Sequence, residues 1–467
     1  KNIFMLLGIR LQAQPTDKQR QVLSQWMGCA RGIWNAKCHE EKYYNTFARK
    51  YYPIGTYAPL DQQYSQFKDR ELSPWLYDVP SQILRNSSTN WYKTYIKFIK
   101  GECGKPRCKR KDENGSVHLT RELFEFRQCD DGVVRLFIGT KKNNIGYLKI
   151  KSHRKYKTPN SLYIKKRHGE YWVSFCYDDE IDESLLFTQK QHLKYLKGSS
   201  SKFLEKHVVG IDRGVAIPVQ CGADAFDFTD EQKRAKKDKI IKLKRYQRRL
   251  ARQTNGSNRR YRTKVKISGC HMKVGNIRKD FCHKTSYAIV SKPEYKVIIL
   301  EDLKTESMTK KAKPKPLANG KWGKNGAAAK SGLNKAILDK GWHQLEEYIK
   351  YKSYRLGKSW FKVQAHHTSQ ECAACRHTHP DNRKSQSRFV CDGCGHTDNA
   401  DRNAAEVIKK RAIRLFLDSG TELSKRGVLL DKGCGAISKS LAAKAANASG
   451  NEASKKKRKV ATSKVAA

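Results

Sequence analysis

The sequence predicts a multidomain α+β protein, and three observations support this class. A chain of 467 residues is long enough for about two to four domains. The first half contains a strand, a long helical stretch and then several short strands, whereas the second half alternates apolar strands with helices. Late in the chain, two Cys-x-x-Cys pairs lie close together, which is typical of a small metal-binding module.

The N-terminal half is predicted to be one β domain interrupted by a helical domain. Residues 3–11 alternate as a strand, and Thr16 with Gln19 forms a capping-box pattern that opens a helix. Apolar residues then recur at helical spacing, and short β-type segments follow from residue 117 to 177. The expected bounds are 1–15 and 101–203 for a small β-barrel or curved sheet, and 16–100 for the helical domain.

The charge of the chain indicates the kind of partner that it binds. There are 96 Lys and Arg against 45 Asp and Glu, a net charge of +51, and a soluble protein with such an excess is expected to have a polyanionic partner. Nucleic acid is the first candidate and an anionic membrane surface the second. The mean hydropathy of −0.79, and the lack of an apolar run of about 18 residues, exclude an integral membrane protein.

Residues 231–286 carry this charge most unevenly, with 20 Lys and Arg against three acids. Two apolar stripes at helical spacing, separated by a Gly/Asn/Ser break at 255–258, predict an antiparallel helical hairpin. A solvated hairpin is the simpler interpretation, but so uneven a ratio favours a surface that faces nucleic acid.

Four of the 14 cysteines form two tight pairs, Cys372-x-x-Cys375 and Cys391-x-x-Cys394. This spacing supplies four thiolates to one structural Zn²⁺ and leaves no open position for a catalytic water. A redox pair is the weaker alternative, since one pair would suffice for it. The other cysteines are scattered, which indicates a reducing compartment rather than a disulfide framework.

Three carboxylates lie where an acid is costly unless it binds a cation. Asp212 lies in the apolar run Val-Val-Gly-Ile-Asp, Glu301 ends the run Val-Ile-Ile-Leu-Glu, and Asp401 opens a helix after the cysteine block. If they converge, they would hold two Mg²⁺ ions about 4 Å apart for phosphodiester hydrolysis. Taken singly, Asp401 could be a helix N-cap and Asp212 a turn former. Three neighbouring acids could substitute as ligands: Glu306, Asp392 and Asp398. Asp302 directly follows Glu301 and on a strand would face the opposite side, so geometry excludes one of this pair.

Five motifs follow one another along the chain: Gly-Ile-Asp-x-Gly, Ile-Ile-Leu-Glu-Asp-Leu, Thr-Ser-Gln-x-Cys-x-x-Cys, Cys-x-x-Cys-Gly and Asp-x-Asn-Ala-Ala. This order resembles the TnpB family of transposon-encoded RNA-guided DNA endonucleases, to which the compact type V CRISPR effectors are related. Residues 25–31, 79–82 and 278–284 extend the resemblance, which covers roughly residues 3–430.

The resemblance implies an RNase H-like (RuvC) α/β nuclease domain with a zinc-ribbon insert. It also implies that the N-terminal β-barrel is a wedge domain and that the helical domain within it is a recognition domain. The expected bounds are 204–365 and 396–430 for the nuclease domain, 366–395 for an insert that binds the target nucleic acid, and 431–467 for a disordered basic tail.

The resemblance also implies site residues and partners. Asp212, Glu301 and Asp401 would be the catalytic triad that binds Mg²⁺. Zn²⁺ would be held by Cys372, Cys375, Cys391 and Cys394. The partners would be a transposon-derived guide RNA, with one protein per RNA, and double-stranded target DNA beside a short adjacent motif, without a membrane. Base pairing would select the target, which the single RuvC-like site would cleave.

Two features depart from the family pattern. Arg213 follows Asp212 where many members have a small or apolar residue, but the triad stays complete. In the tail, the run Lys455–Val460 resembles a nuclear import signal, although a basic RNA-binding tail or an engineered addition would have the same composition. The expected location is the cytoplasm of a prokaryote, on the nucleoid when DNA is bound, with nuclear import in a eukaryotic cell.

Two alternative functions stay open. A compact type V CRISPR effector would share every motif, and only its RNA or genomic context would separate it from a TnpB-like nuclease. A guided DNA-binding regulator without cleavage is disfavoured because all three acids are present. A DNA-strand transferase is disfavoured further, because it would need neither the zinc insert nor the RNA-binding N-terminal half.

Overall fold

The computed structural model describes residues 4–111, 114–128, 133–152, 156–182, 186–317 and 322–431. Beyond residue 431, the predicted basic tail lies outside the described residues. The chain divides into two compact units, residues 1–184 and 185–467. No described helix is both long and apolar enough to cross a membrane.

The described residues of the first unit form seven strands and two long helices. In chain order they are β1 (Phe4–Gln14), α1 (Asp17–Phe47), α2 (Ser81–Ile99), β2 (Gly115–Thr120), β3 (Phe124–Gln128), β4 (Val134–Gly139), β5 (Asn144–Lys151), β6 (Ser161–Arg167) and β7 (Glu170–Asp182). The strands form one antiparallel sheet in the order β2-β6-β7-β1-β5-β4-β3.

The helices and the sheet of this unit share one hydrophobic core. β1 buries every second residue, among them Ile9 and Leu11, as expected for a strand with one face on a core. Trp26 of α1 and Leu84 of α2 belong to the same buried cluster. The helical insertion is therefore packed onto the sheet that it interrupts.

Two predictions for this unit have different outcomes. The capping box of α1 is confirmed, because the Gln19 amide donates to Thr16 Oγ1 (3.3 Å) and the Thr16 amide donates to Gln19 Oε1 (3.0 Å). A closed barrel is not formed within the described strands, whose order has free edges at β2 and β3. β1 pairs along most of its length with β7 but with β5 only at residues 12–14, so β5, β4 and β3 extend from one end of β1.

The second unit contains the remaining elements. They are α3 (Gln189–Lys197), α4 (Ser201–His207), β8 (Val208–Asp212), β9 (Val219–Cys221), β10 (Asp224–Phe226), α5 (Asp230–Ala251), α6 (Asn258–Ser291), β11 (Val297–Glu301), α7 (Thr305–Met308), β12 (Lys315–Pro316), β13 (Trp322–Gly323), α8 (Ala327–Lys340), α9 (Trp342–Arg355), β14 (Ser359–Val363), β15 (Arg388–Val390), β16 (Thr397–Asn399), α10 (Ala400–Leu417), β17 (Glu422–Leu423) and β18 (Leu429–Leu430). Their main sheet has the order β10-β9-β8-β11-β14.

Helices cover both faces of this sheet, and three neighbouring strands, β8, β11 and the edge strand β14, run parallel. Ile299 of β11 belongs to a core shared with α3 and α10, whereas Ile298 and Leu300 belong to a core shared with α6 and α9. Buried parallel strands with helices on both faces are typical of α/β folds. Because side chains alternate between the two faces of a strand, these positions also show which face of the sheet the side chain of Glu301 lies on.

Helix α3 belongs to this second unit. Leu193 and Leu196 pack with Phe361 and Phe416, although the sequence analysis grouped residues 185–203 with the β segments. The predicted hairpin is confirmed as α5 and α6, and α5 has no buried residue. Its lysines and arginines therefore lie on a largely exposed pair of helices.

Candidate metal centres

Asp212 and Glu301 end two neighbouring parallel strands. β8 and β11 pair from Val208–Val297 to Ile211–Leu300, so the next residue of each strand is the acid. Parallel strands bring their carboxyl ends to one edge of the sheet, where α/β folds commonly bind ligands. Glu301 has the same parity as Ile299, and Asp212 the same parity as Val208, both of which pack toward α10.

Helix α10 brings Asp401 to the same edge. It packs against β8 at Gly210, where an added Cβ would lie 2.0 Å from the Ala405 carbonyl oxygen, so only glycine allows this approach. Asn399, not Asp401, is the N-cap, because its side chain accepts from the amides of Asp401 (3.0 Å) and Arg402 (3.2 Å). The Asp401 carboxylate is thus not used as a cap and lies buried, 4% exposed.

The electrostatics show that the three acids influence one another. Burial is the main cause that raises the pKa of Asp212 to about 8, and the charges of Glu301 and Asp401 raise it further. Burial also raises the pKa of Glu301, against hydrogen bonds from the Thr368 hydroxyl and the Asp212 carboxyl. The cluster holds more negative charge than its partners neutralise, and Asp212 keeps a proton near neutral pH when no cation is present.

The four neighbouring acids occupy other environments. Lys362 Nζ lies 3.6 Å from Asp302, and Arg402 Nε lies 2.8 Å from Asp398. Asp392 pairs with Lys384 at 3.2 Å, and Glu306 is exposed on α7. Three of the four thus have a cationic partner, and the fourth is not desolvated.

The four predicted cysteines converge in the second unit. Cys372 Sγ lies 3.8 Å from Cys394 Sγ, and Cys375 Sγ lies 3.5 Å from Cys391 Sγ. All four sulfur atoms lie within 4.8 Å of one another, which fits the edges of a tetrahedron with Zn–S bonds of about 2.3 Å. The donor set, four thiols and no other ligand, suits a structural Zn²⁺.

The two cysteine pairs fold as equivalent turns. In the first, the Cys372 amide donates to His377 O (3.0 Å) and the Arg376 amide to Cys372 O (2.9 Å); in the second, the Cys391 amide donates to His396 O and the Gly395 amide to Cys391 O, both at 2.9 Å. The residue after each pair is left-handed, with φ of 66° at Arg376 and 69° at Gly395. Local backbone hydrogen bonds therefore hold the two thiols of each pair in position.

Thr368, between β14 and the first cysteine pair, and Arg383, between the two cysteine pairs, reach the carboxylates. Neither role was predicted from the sequence. The Thr368 hydroxyl donates to Glu301 Oε1 at 2.5 Å, and Arg383 Nη2 donates to Asp401 Oδ1 at 3.0 Å. Thr368 belongs to the Thr-Ser-Gln motif, but a hydroxyl and an arginine in a polar segment have no pattern that reveals a distant partner. The cysteine module thus supplies partners to two of the three acids.

The three acids are less tightly grouped than the thiols. Among the described residues, the groups of three or more whose ligand atoms lie within 4.8 Å of one another are the four cysteines and the exposed set His379, Asp381 and Asp392. The carboxylates nevertheless fit a hard divalent cation, because oxygen donors suit Mg²⁺ and because burial raises the pKa of both Asp212 and Glu301, so their charged forms are not fully compensated within the fold.

Family models match three parts of the chain. A helix-turn-helix domain of IS605 OrfB matches residues 5–45, a "probable transposase" model of IS605 OrfB matches residues 191–312, and a "Cas12f1-like, TNB domain" matches residues 342–408. The third match contains the four cysteines and Asp401. The first contains one strand and one long helix in this structure.

Similar proteins cover most of the chain. It is 29% identical over 405 residues to the "Putative RNA-guided DNA endonuclease InsQ" of Escherichia coli (strain K12), covering 86% of this chain and 91% of that protein. It is 24% identical over 404 residues to a "Putative RNA-guided DNA endonuclease" of Streptomyces pristinaespiralis, covering 84% and 86%. A stretch of 67 residues is 37% identical to the "CRISPR-associated endodeoxyribonuclease Cas12f1" of Sulfoacidibacillus thermotolerans, covering 14% and 16%.

A solved structure shares the fold. The chain is similar to Cas12f1 in a cryo-EM complex with sgRNA and target DNA, with a TM-score of 0.52 and 13% identity over 88% of this chain and 99% of that one. The predicted resemblance is confirmed: the chain is similar to the IS605 OrfB models and to InsQ. Its fold is mixed α/β with a cysteine cluster of the zinc-ribbon kind.

Proposed function

We propose that this protein is a guide-RNA-dependent endonuclease that cleaves double-stranded DNA beside a short adjacent motif. One observation carries the proposal: Asp212, Glu301 and Asp401 converge at the edge of a buried parallel sheet in a chain related over most of its length to RNA-guided DNA endonucleases. The second unit would be the RuvC-like nuclease domain, with residues 366–395 as its zinc-ribbon insert. The first unit would combine the wedge sheet with the recognition helices.

The three carboxylates would hold Mg²⁺. When bound, the metal would activate the attacking water and stabilise the leaving oxygen of the phosphodiester. The chain's own contribution is to fix the ligands: Thr368 orients Glu301, Arg383 orients Asp401, and Asp212 loses its proton to complete the charge of the site. The guanidinium of Arg383 also places a positive charge beside the position where an anionic phosphate must arrive.

The basic surfaces supply the contacts for RNA and DNA. In the first unit, a cleft of about 1040 Å³ is lined by lysines of α2 and by Lys165, Lys166 and Arg167 of β6. Within it, His118 stacks on Tyr163 with ring centroids 4.4 Å apart, which leaves an aromatic platform among phosphate-binding groups. The exposed α5–α6 hairpin adds a second basic surface. Base pairing would then read the sequence while the protein binds backbone and shape.

The relatives and their complexes suggest where and with what the protein works. A bacterial relative of this kind supports the cytoplasm as the location. One protein on each guide RNA stays a prediction. Nuclear import by the tail stays a prediction, since Lys455–Val460 lies outside the described residues.

An alanine variant of Asp212 tests the proposal. We expect Asp212→Ala to lower cleavage of a guided target by more than about 1,000-fold, because the metal loses a ligand, while guided binding to DNA is retained. Asp398→Ala is the matched control, since it removes a nearby acid that pairs with Arg402, and it should cleave normally. Plasmid cleavage and an electrophoretic shift measure the two properties. Cleavage by Asp212→Ala at the normal rate would overturn the assignment.

A compact CRISPR effector is the second candidate, because residues 342–408, which contain the four cysteines, match a Cas12f1-like domain model and 88% of the chain is similar to Cas12f1 in fold. Sequencing the RNA that co-purifies with the protein separates the two. A single RNA from a transposon end supports the TnpB-like function, whereas a crRNA–tracrRNA pair supports the effector.

A further inference from the structure

Arg213, the residue that departs from the family pattern, is buried beside the proposed catalytic acids. It is 3% exposed, and a buried guanidinium is tolerated only when it is paired and hydrogen-bonded. Nη1 donates to Glu346 Oε2 at 2.9 Å, and Nη2 donates to the main-chain oxygen of Glu301 at 2.6 Å. Arg213 therefore joins the end of β8 to the end of β11.

The bond to Glu301 lies where the strand ladder stops. The last pair of β8 and β11 is Ile211 with Leu300, and the Glu301 carbonyl, one residue beyond this pair, accepts from the Arg213 guanidinium. The peptide of Glu301 is thus held by the side chain that follows Asp212. A rotation of this peptide would move the Glu301 carboxylate, because main chain and side chain share the same Cα.

Glu346 of α9 holds the guanidinium in place. Its other oxygen, Oε1, accepts from Lys350 at 2.7 Å and from Lys362 at 2.5 Å. Although burial opposes ionisation, Arg213 and these lysines lower the pKa of Glu346 to about 2. The carboxylate therefore stays charged, and it ties α9 and β14 to the edge of the sheet that carries the acids.

We propose that Arg213, fixed by Glu346, is a positioning residue that holds Glu301 against Asp212 in the geometry needed for metal binding. This inference rests on the proposed nuclease function. Both terminal nitrogens of Arg213 are engaged within the fold, so the residue acts through Glu301 rather than on DNA. A purely structural ion pair would affect stability but not the affinity of the acids for a metal.

The test measures metal occupancy directly on the protein loaded with its RNA. Fe²⁺ with ascorbate and peroxide generates radicals that cut the chain beside a bound ion, and cuts near Asp212, Glu301 and Asp401 would report the site. We expect Arg213→Lys and Glu346→Gln to need about tenfold or more Fe²⁺ for the same cuts, the range seen when a partner of a metal ligand is removed. The Mg²⁺ concentration for half-maximal cleavage should rise in parallel.

A matched control separates positioning from stability. Lys409→Met removes a different partly buried ion pair of the same unit, that of Lys409 with Glu205 at 3.2 Å, and should leave the Fe²⁺ dependence unchanged. Thermal unfolding of all variants identifies any that does not fold. If Arg213→Lys does not fold, the Fe²⁺ dependence of the milder Glu346→Gln decides whether Arg213 has a positioning role. Equal Fe²⁺ dependence in Glu346→Gln and Lys409→Met would overturn the positioning role. Absence of local cuts in the unaltered protein would instead overturn the proposed metal site.

Discussion

The four-thiol site and the three-carboxylate site of the second unit are organised in opposite ways. The thiols come from two turns that are each closed by their own backbone hydrogen bonds, so their geometry depends on a short stretch of chain. The carboxylates come from the ends of β8 and β11 and from the start of α10, and they repel one another in a buried place. One site is prepared by local folding, and the other exists only when the tertiary fold is complete.

The carboxylate site depends on the cysteine module for hydrogen-bond partners. Thr368 and Arg383 reach Glu301 and Asp401 from the cysteine module. In addition, Asn403 of α10 accepts from the Ala373 amide at 3.0 Å and donates to Glu371 O at 2.8 Å. The cysteine module thus supplies hydrogen-bond partners to two of the three carboxylates and to helix α10. We infer that a metal held by the four thiols would stabilise the proposed catalytic acids as well as the two cysteine turns.

Among changes that test how the carboxylate site depends on the thiol site, loss of the thiol site should have the largest effect. Cys372→Ser removes one of four ligands from a module whose folding depends on metal, so we expect loss of bound zinc and a fall in cleavage of more than about 100-fold. Metal analysis and plasmid cleavage measure the two effects. Cys176→Ser, at an exposed free cysteine, is the control. Normal cleavage by a zinc-free Cys372→Ser protein would show that the two sites are independent.

A single hydrogen bond between the sites should have a smaller effect. Thr368→Val keeps the shape of the side chain but removes the donor to Glu301, and we expect cleavage to fall about tenfold with zinc retained. Thr378→Val removes a hydroxyl of the same module that bonds only to Arg376 O, and it should cleave normally. If both variants cleave alike, the module does not act on Glu301 through this contact.

The sequence predicted what is local in both sites. The Cys-x-x-Cys spacing indicated the thiol site, and apolar strands that end in an acid indicated two carboxylates. Period-two alternation also predicted that Asp302 would face away from Glu301, and Asp302 lies near Lys362 instead. These signals are intrinsic to a few neighbouring residues, and the fold does not alter them.

The rest depended on contacts between distant parts of the chain. Thr368, Arg383 and Arg213 acquire their roles only through partners on other elements, and no periodicity marks such a pair. The same reason explains the two differences in the fold. Whether β2 and β3 close a barrel depends on how the strands pair, and whether α3 joins the second unit depends on Phe361 and Phe416.

Titration of Asp212 should have the smallest effect. It is measured as a change in the free energy of unfolding, in buffer without divalent cations. The folded protein holds the Asp212 proton up to about pH 8, whereas the unfolded chain releases it near pH 4. The contribution of Asp212 to stability is therefore complete below about pH 4 and is lost as the pH rises through about 8. Asp212→Asn cannot ionise, so we expect its free energy of unfolding at pH 8.5 to exceed that of the unaltered protein by about 1 kcal/mol or more.

The stability gain of Asp212→Asn is compared at two pH values, so any part of the gain that does not depend on charge cancels. At pH 5 the gain from Asp212→Asn should largely disappear, because Asp212 is then protonated in the folded protein. Asp224→Asn is the control, because this acid pairs with Lys292 at the surface and its substitution should not stabilise the protein at high pH. Thermal unfolding across this range measures the difference. A gain that is the same at pH 5 and pH 8.5 would mean that burial and the neighbouring acids do not raise the pKa of Asp212, and the contrast with the locally closed thiol site would then be lost.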